Sequence, residues 1–284
     1  MKNLSDISVV KEILAKHGFT FSKALGQNFI INQNICPEMA DMAIPDDDYC
    51  ALEIGPGIGV LTYQLARRAK KVVAIELDKR LLPVLDETLA EFDNVEIVNA
   101  DVMKLDLAEL IKEKFSGEKI CVCANLPYYI TSPIIMLLLE SKLPVESLTV
   151  MVQKEAADRL CAEVGSRESG AVTVAVNYYA RAEKLFNVSK GSFMPAPKVD
   201  SAVIKLSIRE KPPVEITDEK KFFSMVKAAF AQRRKTALNS ISAGMGLSKE
   251  KISSALEKAG LDLNVRAEKL TMQQLADLCE AIEE

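Results

Sequence analysis

The chain has little of what many catalytic sites are built from. Its 284 residues contain one histidine, His17. It stands beside Gly18, where a helix is expected to stop, so it reads as a surface or capping residue and not as half of a nucleophile pair. The six cysteines are scattered. Cys121 and Cys123 flank one residue on an expected strand, Cys36, Cys50, Cys161 and Cys279 stand alone, and no CxxC occurs. That argues against a metal site and for reduced core thiols in a cytoplasmic protein. No apolar run reaches the roughly 18 residues of a membrane span. Met1–Phe19 lacks the apolar stretch of a secretion signal. A formal net charge of −4 disfavours indiscriminate nucleic-acid binding, while leaving room for a basic face on an acidic body.

What is present is an alternation. Ser5–Lys16 has Ile7, Val10 and Leu14 at helical spacing, and "SKALGQNFIIN" follows as an aperiodic loop. From Tyr49 the strands "YCALEIG", "KVVAIELD", "VEIVNAD", "KICVCANLPY" and "SLTVMVQ" are each followed by a helical stretch. The helix after "NLPYYI" is expected to be capped by Ser132. "GAVTVAVNYYARAEKLF" and "DSAVIKLSIRE" supply a further helix and the last strands. Such alternation implies crossover units and a parallel sheet covered on both faces, an α/β fold. Pro212–Pro213 mark a linker, and the remainder reads as helical, with a capping box at Thr271–Gln274. The expected domains are residues 1–210, α/β with an N-terminal helix, and residues 211–284, a small all-α domain.

"EIGPGIG", residues 53–59, occupies a strand-to-helix turn. A tight turn alone could explain the glycines. Val60 stands where the dinucleotide fingerprint needs its third glycine, and no GK[ST] offers a triphosphate site. Glu76 ends the next strand, where a carboxylate can accept from both hydroxyls of a ribose. Asp101, after the following strand, adds a second carboxylate on the same rim, suited to an adenine amino group. Ribose and adenine without phosphate describe S-adenosylmethionine.

"NLPY" falls on the fourth strand end of that rim. An exocyclic adenine amine is a poor nucleophile, because its lone pair is delocalised into the ring. Acceptors on both amino hydrogens would meet the charge that develops on nitrogen. Asn125 Oδ1 and the Leu126 carbonyl are the candidates. Pro127 stiffens the turn, and Tyr128 offers a face on which the base can stack. An Asx-turn with a packed tyrosine is the bland alternative.

These residues resemble a known family, the ribosomal RNA adenine N6-dimethyltransferases that act on small-subunit RNA. "KALGQNFIIN", "EIGPGIGVLT", "ANLPYYITSPI", "SFMPAPKVDSAVIKL", "FAQRRKTALNSI" and "NVRAEKLT" carry the resemblance over nearly the whole chain. It implies a Rossmann-like class I methyltransferase domain with a mostly parallel seven-stranded sheet, and a helical C-terminal domain contacting RNA. It implies S-adenosylmethionine bound by Asn28, Ile30, Gly55, Glu76, Asp101 and Asn125; the family usually has leucine at Ile30. Asn125, Leu126, Pro127, Tyr128 and Phe193 would form the catalytic centre, Phe193 sandwiching the base against Tyr128. The implied reaction dimethylates two adjacent adenines in a hairpin loop near the RNA's 3′ end. The implied partner is the small ribosomal subunit, met by a cytoplasmic monomer with no metal and no membrane.

Arg233, Arg234 and Lys235 are expected on a helix, with Lys227 on the same face, as phosphate contacts; Arg67, Arg68, Lys70 and Lys71 form a second basic run. Three other readings stay open at this point. One is a sibling enzyme on large-subunit RNA or on DNA, another an NAD-dependent oxidoreductase, the third a ribosome-assembly factor with methylation as a minor output.

Overall fold

The computed structural model describes residues 4–22 and 25–282 of the chain. Lys23 and Ala24, within the "SKALGQNFIIN" segment, lie outside the described residues. The strands are β1 (Phe29–Ile30), β2 (Cys50–Ile54), β3 (Val72–Glu76), β4 (Val95–Asn99), β5 (Ile120–Asn125), β6 (Ser147–Gln153), β7 (Ala180–Val188), β8 (Phe193–Met194) and β9 (Ser201–Ile208). The first helices are α1 (Ile7–Lys16), α2 (Ile35–Ala43), α3 (Val60–Ala66), α4 (Leu82–Thr88), α5 (Leu107–Lys114), α6 (Thr131–Glu140), α7 (Lys154–Leu160) and α8 (Ala171–Tyr179). The C-terminal set is α9 (Glu219–Phe230), α10 (Ala237–Met245), α11 (Lys249–Lys258) and α12 (Met272–Ala281).

Seven strands form one sheet in the order β4-β3-β2-β5-β6-β9-β7. The pairs β2–β3, β2–β5, β3–β4 and β5–β6 are parallel, while β6–β9 is antiparallel. The sheet order reverses between β2 and β5, so the C-terminal ends of these two neighbours flank a crevice, the usual ligand position of such sheets. β2 and β3 are buried at every position. Apart from Glu53 and Glu76 their residues are apolar, as a sheet covered on both faces requires. Cys36, Cys50, Cys121, Cys123 and Cys279 are buried free thiols.

By internal contacts the chain groups into two units, Met1–Ala157 with Glu183–Ile208, and Asp158–Ala182 with Arg209–Glu284. This grouping differs from a single division at 210/211, because residues 158–182 go with the C-terminal helices. The second unit has its own core of Phe222, Met225, Val226, Ile241, Ile252, Leu256, Leu275 and Leu278. Tyr178, Tyr179, Phe222 and Phe223 contribute edge and stacked ring contacts, with centroids 5.0–6.0 Å apart. Asp218, Thr236, Ser248 and Thr271 cap its four C-terminal helices by accepting backbone N–H groups.

Local expectations fail at three places. α6 starts at Thr131, one residue before Ser132, and has no side-chain cap; Thr131 Oγ1 instead donates to the Pro127 carbonyl at 3.2 Å. β1 pairs with β8 in a separate two-stranded ribbon inside the stretch read as loop. The helix expected through "FAQRRKTALNSI" is broken, because Thr236 turns out to be the N-cap of α10 and residues 231–236 form the bend before it.

The α9–α10 packing turns on Gly244. A Cβ at that position would lie 2.5 Å from the Ala228 Cβ and 2.9 Å from its Cα. Gly244→Ala should therefore destabilise the protein by about 1–3 kcal/mol through overpacking, read as a lower urea midpoint, and adding Ala228→Gly should recover part of the loss. An unchanged midpoint would contradict this close approach.

Candidate active site

The C-terminal ends of β2, β3, β4 and β5 converge on one cleft, with a strap of residues 25–30 as its opposite wall. Asn28, Ile30, Gly55, Glu76, Asp101, Asn125, Leu126, Pro127 and Tyr128 all line it. The cleft encloses about 1120 Å³ including its open mouth.

The glycine loop is shaped by left-handed backbone. Gly55 has φ +73° and nothing within 4 Å of where a Cβ would stand, so open space meets bare backbone there. Gly57 has φ +62°, and a Cβ on it would come within 3.2 Å of the Phe29 ring, so the strap packs directly on the loop. Gly57 N–H also donates to Glu76 Oε2 at 3.2 Å.

Glu76 is 6% exposed, and its Oε1 accepts from Asp78 N–H at 2.7 Å. Burial raises its carboxyl above the usual range, and the backbone donors at Asp78 and Gly57 oppose that rise. Asp78 carries the strap. It accepts from Gln27 Nε2 at 2.8 Å and, through both oxygens, from Arg80 at 2.8 and 2.6 Å. Arg80 holds the Asp78 carboxyl below the ordinary value. Gln27 Oε1 in turn accepts from Ser22 N–H at 2.9 Å. Asp101 lines the cleft while capping its own turn, accepting from Met103 N–H at 3.0 Å and meeting Lys104 at 3.6 Å.

Glu53 also belongs to the cleft, a position its sequence context does not mark. It is 1% exposed, lines the cleft floor, and its Oε2 has no hydrogen-bond partner. Burial pushes its carboxyl up to about 8; nearby Thr62 lowers it and the Glu76 charge raises it further. Thr62 Oγ1 itself makes no hydrogen bond of normal geometry, so its help is weak. The signal was available in the first letter of "EIGPGIG", but an acid on a fully buried strand gives no periodicity cue.

At the end of β5, Asn125 Nδ2 donates to the Asn28 carbonyl at 3.3 Å. That orients the amide and leaves Oδ1 without a hydrogen bond among the described residues. Asn28 Nδ2 donates to the Gly26 carbonyl at 3.0 Å. Leu126 N–H is anchored on the Met151 carbonyl at 3.2 Å. Tyr128 shares a 2.6 Å hydrogen bond with Ser201 Oγ, and its ring lines the cleft. Tyr129, 60% exposed, packs against Gly26 at the mouth. Phe193 does not join them. Its pairing with Ile30 in the β1–β8 ribbon leaves it 3% exposed in the core, outside the cleft lining.

The basic runs also differ from expectation. In the second unit, Arg233, Arg234 and Lys235 are exposed in the bend before α10, not on a helix face with Lys227. Arg233 donates to the Arg167 carbonyl at 2.7 Å and lies 3.7 Å from Glu268. In the first unit, Arg68 pairs with Asp41, Lys70 with Glu118 at 3.6 Å and Lys71 with Glu96 at 3.3 Å. That run is largely neutralised. Among the described residues no group of three or more histidine, cysteine or acidic side chains could hold a metal ion, and no helix is long and apolar enough to cross a membrane.

The chain is similar to known proteins over nearly its whole length. The family model for ribosomal RNA adenine dimethylase matches residues 18–284. A protein of Bacillus mycoides, "Ribosomal RNA small subunit methyltransferase A", is 48% identical over 99% of this chain and 98% of its own. A Bacillus anthracis protein of the same name is equally similar. Among solved structures, a dimethyladenosine transferase from Plasmodium falciparum superposes with TM-score 0.72 at 25% identity, covering 88% of this chain and 95% of that one. The 23S rRNA methyltransferase ErmE superposes with TM-score 0.66 at 28% identity, over 90% and 100%.

Glu53 sets a pH dependence. In the folded chain its carboxyl is raised to about 8 from 4.5, so folding takes up a proton between those values. Its contribution is full below the unfolded value and is lost as pH rises through the folded one, at up to about 1.4 kcal/mol per pH unit. Glu53→Gln should therefore gain stability relative to wild type between pH 5 and about 8 in urea unfolding. A difference that does not change with pH would contradict the raised carboxyl.

Proposed function

The chain belongs to the ribosomal RNA adenine dimethylase family, and on that premise we propose that it methylates N6 of two adjacent adenines in a hairpin loop near the 3′ end of small-subunit ribosomal RNA, as a step in ribosome biogenesis. The methyl donor is S-adenosylmethionine, the partner is the small ribosomal subunit, and the enzyme works in the cytoplasm as a monomer. The observation that carries this reading is the Asn125 amide. Its nitrogen is taken by the Asn28 carbonyl, which leaves its oxygen without a hydrogen bond at the end of β5, in the cleft that Glu53, Glu76 and Asp101 also line.

The cleft suits this donor. The open space over Gly55, the ribose-accepting position of Glu76, the orphaned Oε2 of Glu53 and the rim carboxylate of Asp101 match a nucleoside bearing a cationic amino-acid tail. Asn28, Ile30, Gly55, Glu76, Asp101 and Asn125 are proposed to hold it. When bound, S-adenosylmethionine supplies an electrophilic methyl group on a sulfonium.

The chain's own residues prepare the amine. Asn125 Oδ1 accepts one N6 hydrogen and the Leu126 carbonyl the other, so positive charge growing on nitrogen meets dipoles already in place. Pro127 restricts the turn that aims the carbonyl. The Tyr128 ring stacks on the base, worth about 1–3 kcal/mol, and Ser201 fixes the ring through its hydroxyl. Neither acceptor titrates, so the proton leaves to water. A monomethylated amine keeps one hydrogen and its lone pair, so a second transfer uses the same acceptors. Arg234 and Lys235 offer exposed cations to RNA phosphates; Arg233 is partly committed to Glu268. Phe193, buried in the core, has no role in this proposal.

The test is to incubate the protein with S-adenosylmethionine and small subunits lacking the modification, with large subunits and naked RNA alongside, and to analyse digested RNA by mass spectrometry. N6,N6-dimethyladenosine from small subunits is expected, and Asn125→Ala should lower kcat about 10²–10³-fold, the cost of one preorganised group. Product from large subunits alone would move the target toward that of the 23S enzyme it resembles, and no methylated adenosine would overturn the proposal.

A further inference from the structure

Three lysines of the first unit lie on chain segments that meet at one aspartate. Lys154 N–H donates to the Asp200 carbonyl at 3.0 Å, Lys190 N–H donates to Asp200 Oδ1 at 2.9 Å, and Lys198 precedes Asp200 by two residues. All three lysines are exposed. Their backbones arrive from different directions: the end of β6, the turn before β8, and the loop entering β9. The next residue, Ser201, is the one that holds the Tyr128 hydroxyl. The cluster is thus one residue removed from the ring lining the cleft.

Its charges are unspent. Elsewhere in this unit Lys16, Lys70, Lys71 and Lys114 each lie 2.6–3.6 Å from a carboxylate. The ammonium groups of Lys154, Lys190 and Lys198 have no carboxylate partner among the described residues. Asp200 has its Oδ1 engaged by the Lys190 backbone, and Glu155 and Asp158, on the same helix as Lys154, are themselves engaged. Pro195 and Pro197 restrict the segment presenting Lys198. A lysine head on a flexible stem is a point charge well suited to phosphate. Cations beside an aromatic base platform make the combination that single-stranded nucleic acid uses, with phosphates on the cations and bases on the rings.

We propose that Lys154, Lys190 and Lys198 form a phosphate-binding rim that grips the RNA backbone flanking the target adenine. It rests on the RNA reading above, and assigns backbone contacts to the same unit that holds the cleft, apart from those expected at Arg233–Lys235. The rim positions the strand and reads no sequence, so its contribution is uniform across RNAs and weakens with salt.

The experiment replaces all three lysines with glutamine and measures binding to small subunits and to a labelled unmodified RNA hairpin across a salt series. The plot of log K against log salt should become shallower by about 2–3, as expected for three lost phosphate contacts. KM for small subunits should rise, with kcat at saturation and S-adenosylmethionine affinity within twofold of wild type. Lys198→Gln alone should change the slope by about 0.7–0.9, which keeps the test available if the triple variant misfolds. Wild-type methylation with an unchanged slope and KM in the variants overturns the rim alone. A wild-type protein that neither binds nor methylates RNA overturns the functional reading and the rim with it.

Discussion

The site depends on one hydrogen bond, from Asn125 Nδ2 to the Asn28 carbonyl. An amide has a donor end and an acceptor end, and this contact decides which end faces the cleft. It also ties the end of β5 to the strap formed by residues 25–30, which no sheet hydrogen bond could do. The strap is fixed a second time at Gln27, through Asp78 and Arg80, and a third time where Phe29 packs on Gly57. These ties surround the cleft, so donor pocket and reactive amide are held by the same short segment. Catalysis by preorganised dipoles needs that rigidity, because dipoles that must reorient during reaction lose most of their advantage.

Electrostatics gives the cleft its sign. Glu53 and Glu76 are both buried and both raised by burial, and the Glu76 charge raises Glu53 further. Two acids in such a place are costly without a ligand that answers them. Glu76 recovers part of the cost from backbone N–H donors, whereas Glu53 Oε2 recovers none. A donor carrying hydroxyls at one end and positive charge at the other would satisfy both.

Much of this was legible in the sequence, and the rest was hidden for physical reasons. The alternation of strands and helices is a strong signal, since buried parallel strands must be continuous apolar runs. The rim residues followed because parallel strands deliver their ends to one edge. α2 went unread, since Pro37 in its first turn and the polar residues around it resemble a loop. The β1–β8 ribbon joins two segments about 160 residues apart through two residues each, below what any local pattern reveals. The same ribbon buries Phe193, so its motif membership said nothing about exposure. Thr236 could be read as helix interior or as a cap, and tertiary context chose the cap, which moved Arg233–Lys235 into a bend. Glu53 and Gln27 sit inside motifs that were recognised, yet only burial and partners show what they do.

The central claim is that two non-titrating acceptors, and no proton-abstracting base, activate the amine. The measurement that meets it most directly is the single-turnover rate of methyl transfer between pH 6 and 9, with S-adenosylmethionine and small subunits both saturating. A rate that varies by less than about threefold is the predicted result. A rate that climbs tenfold per pH unit to a plateau would reveal a catalytic base and contradict the account.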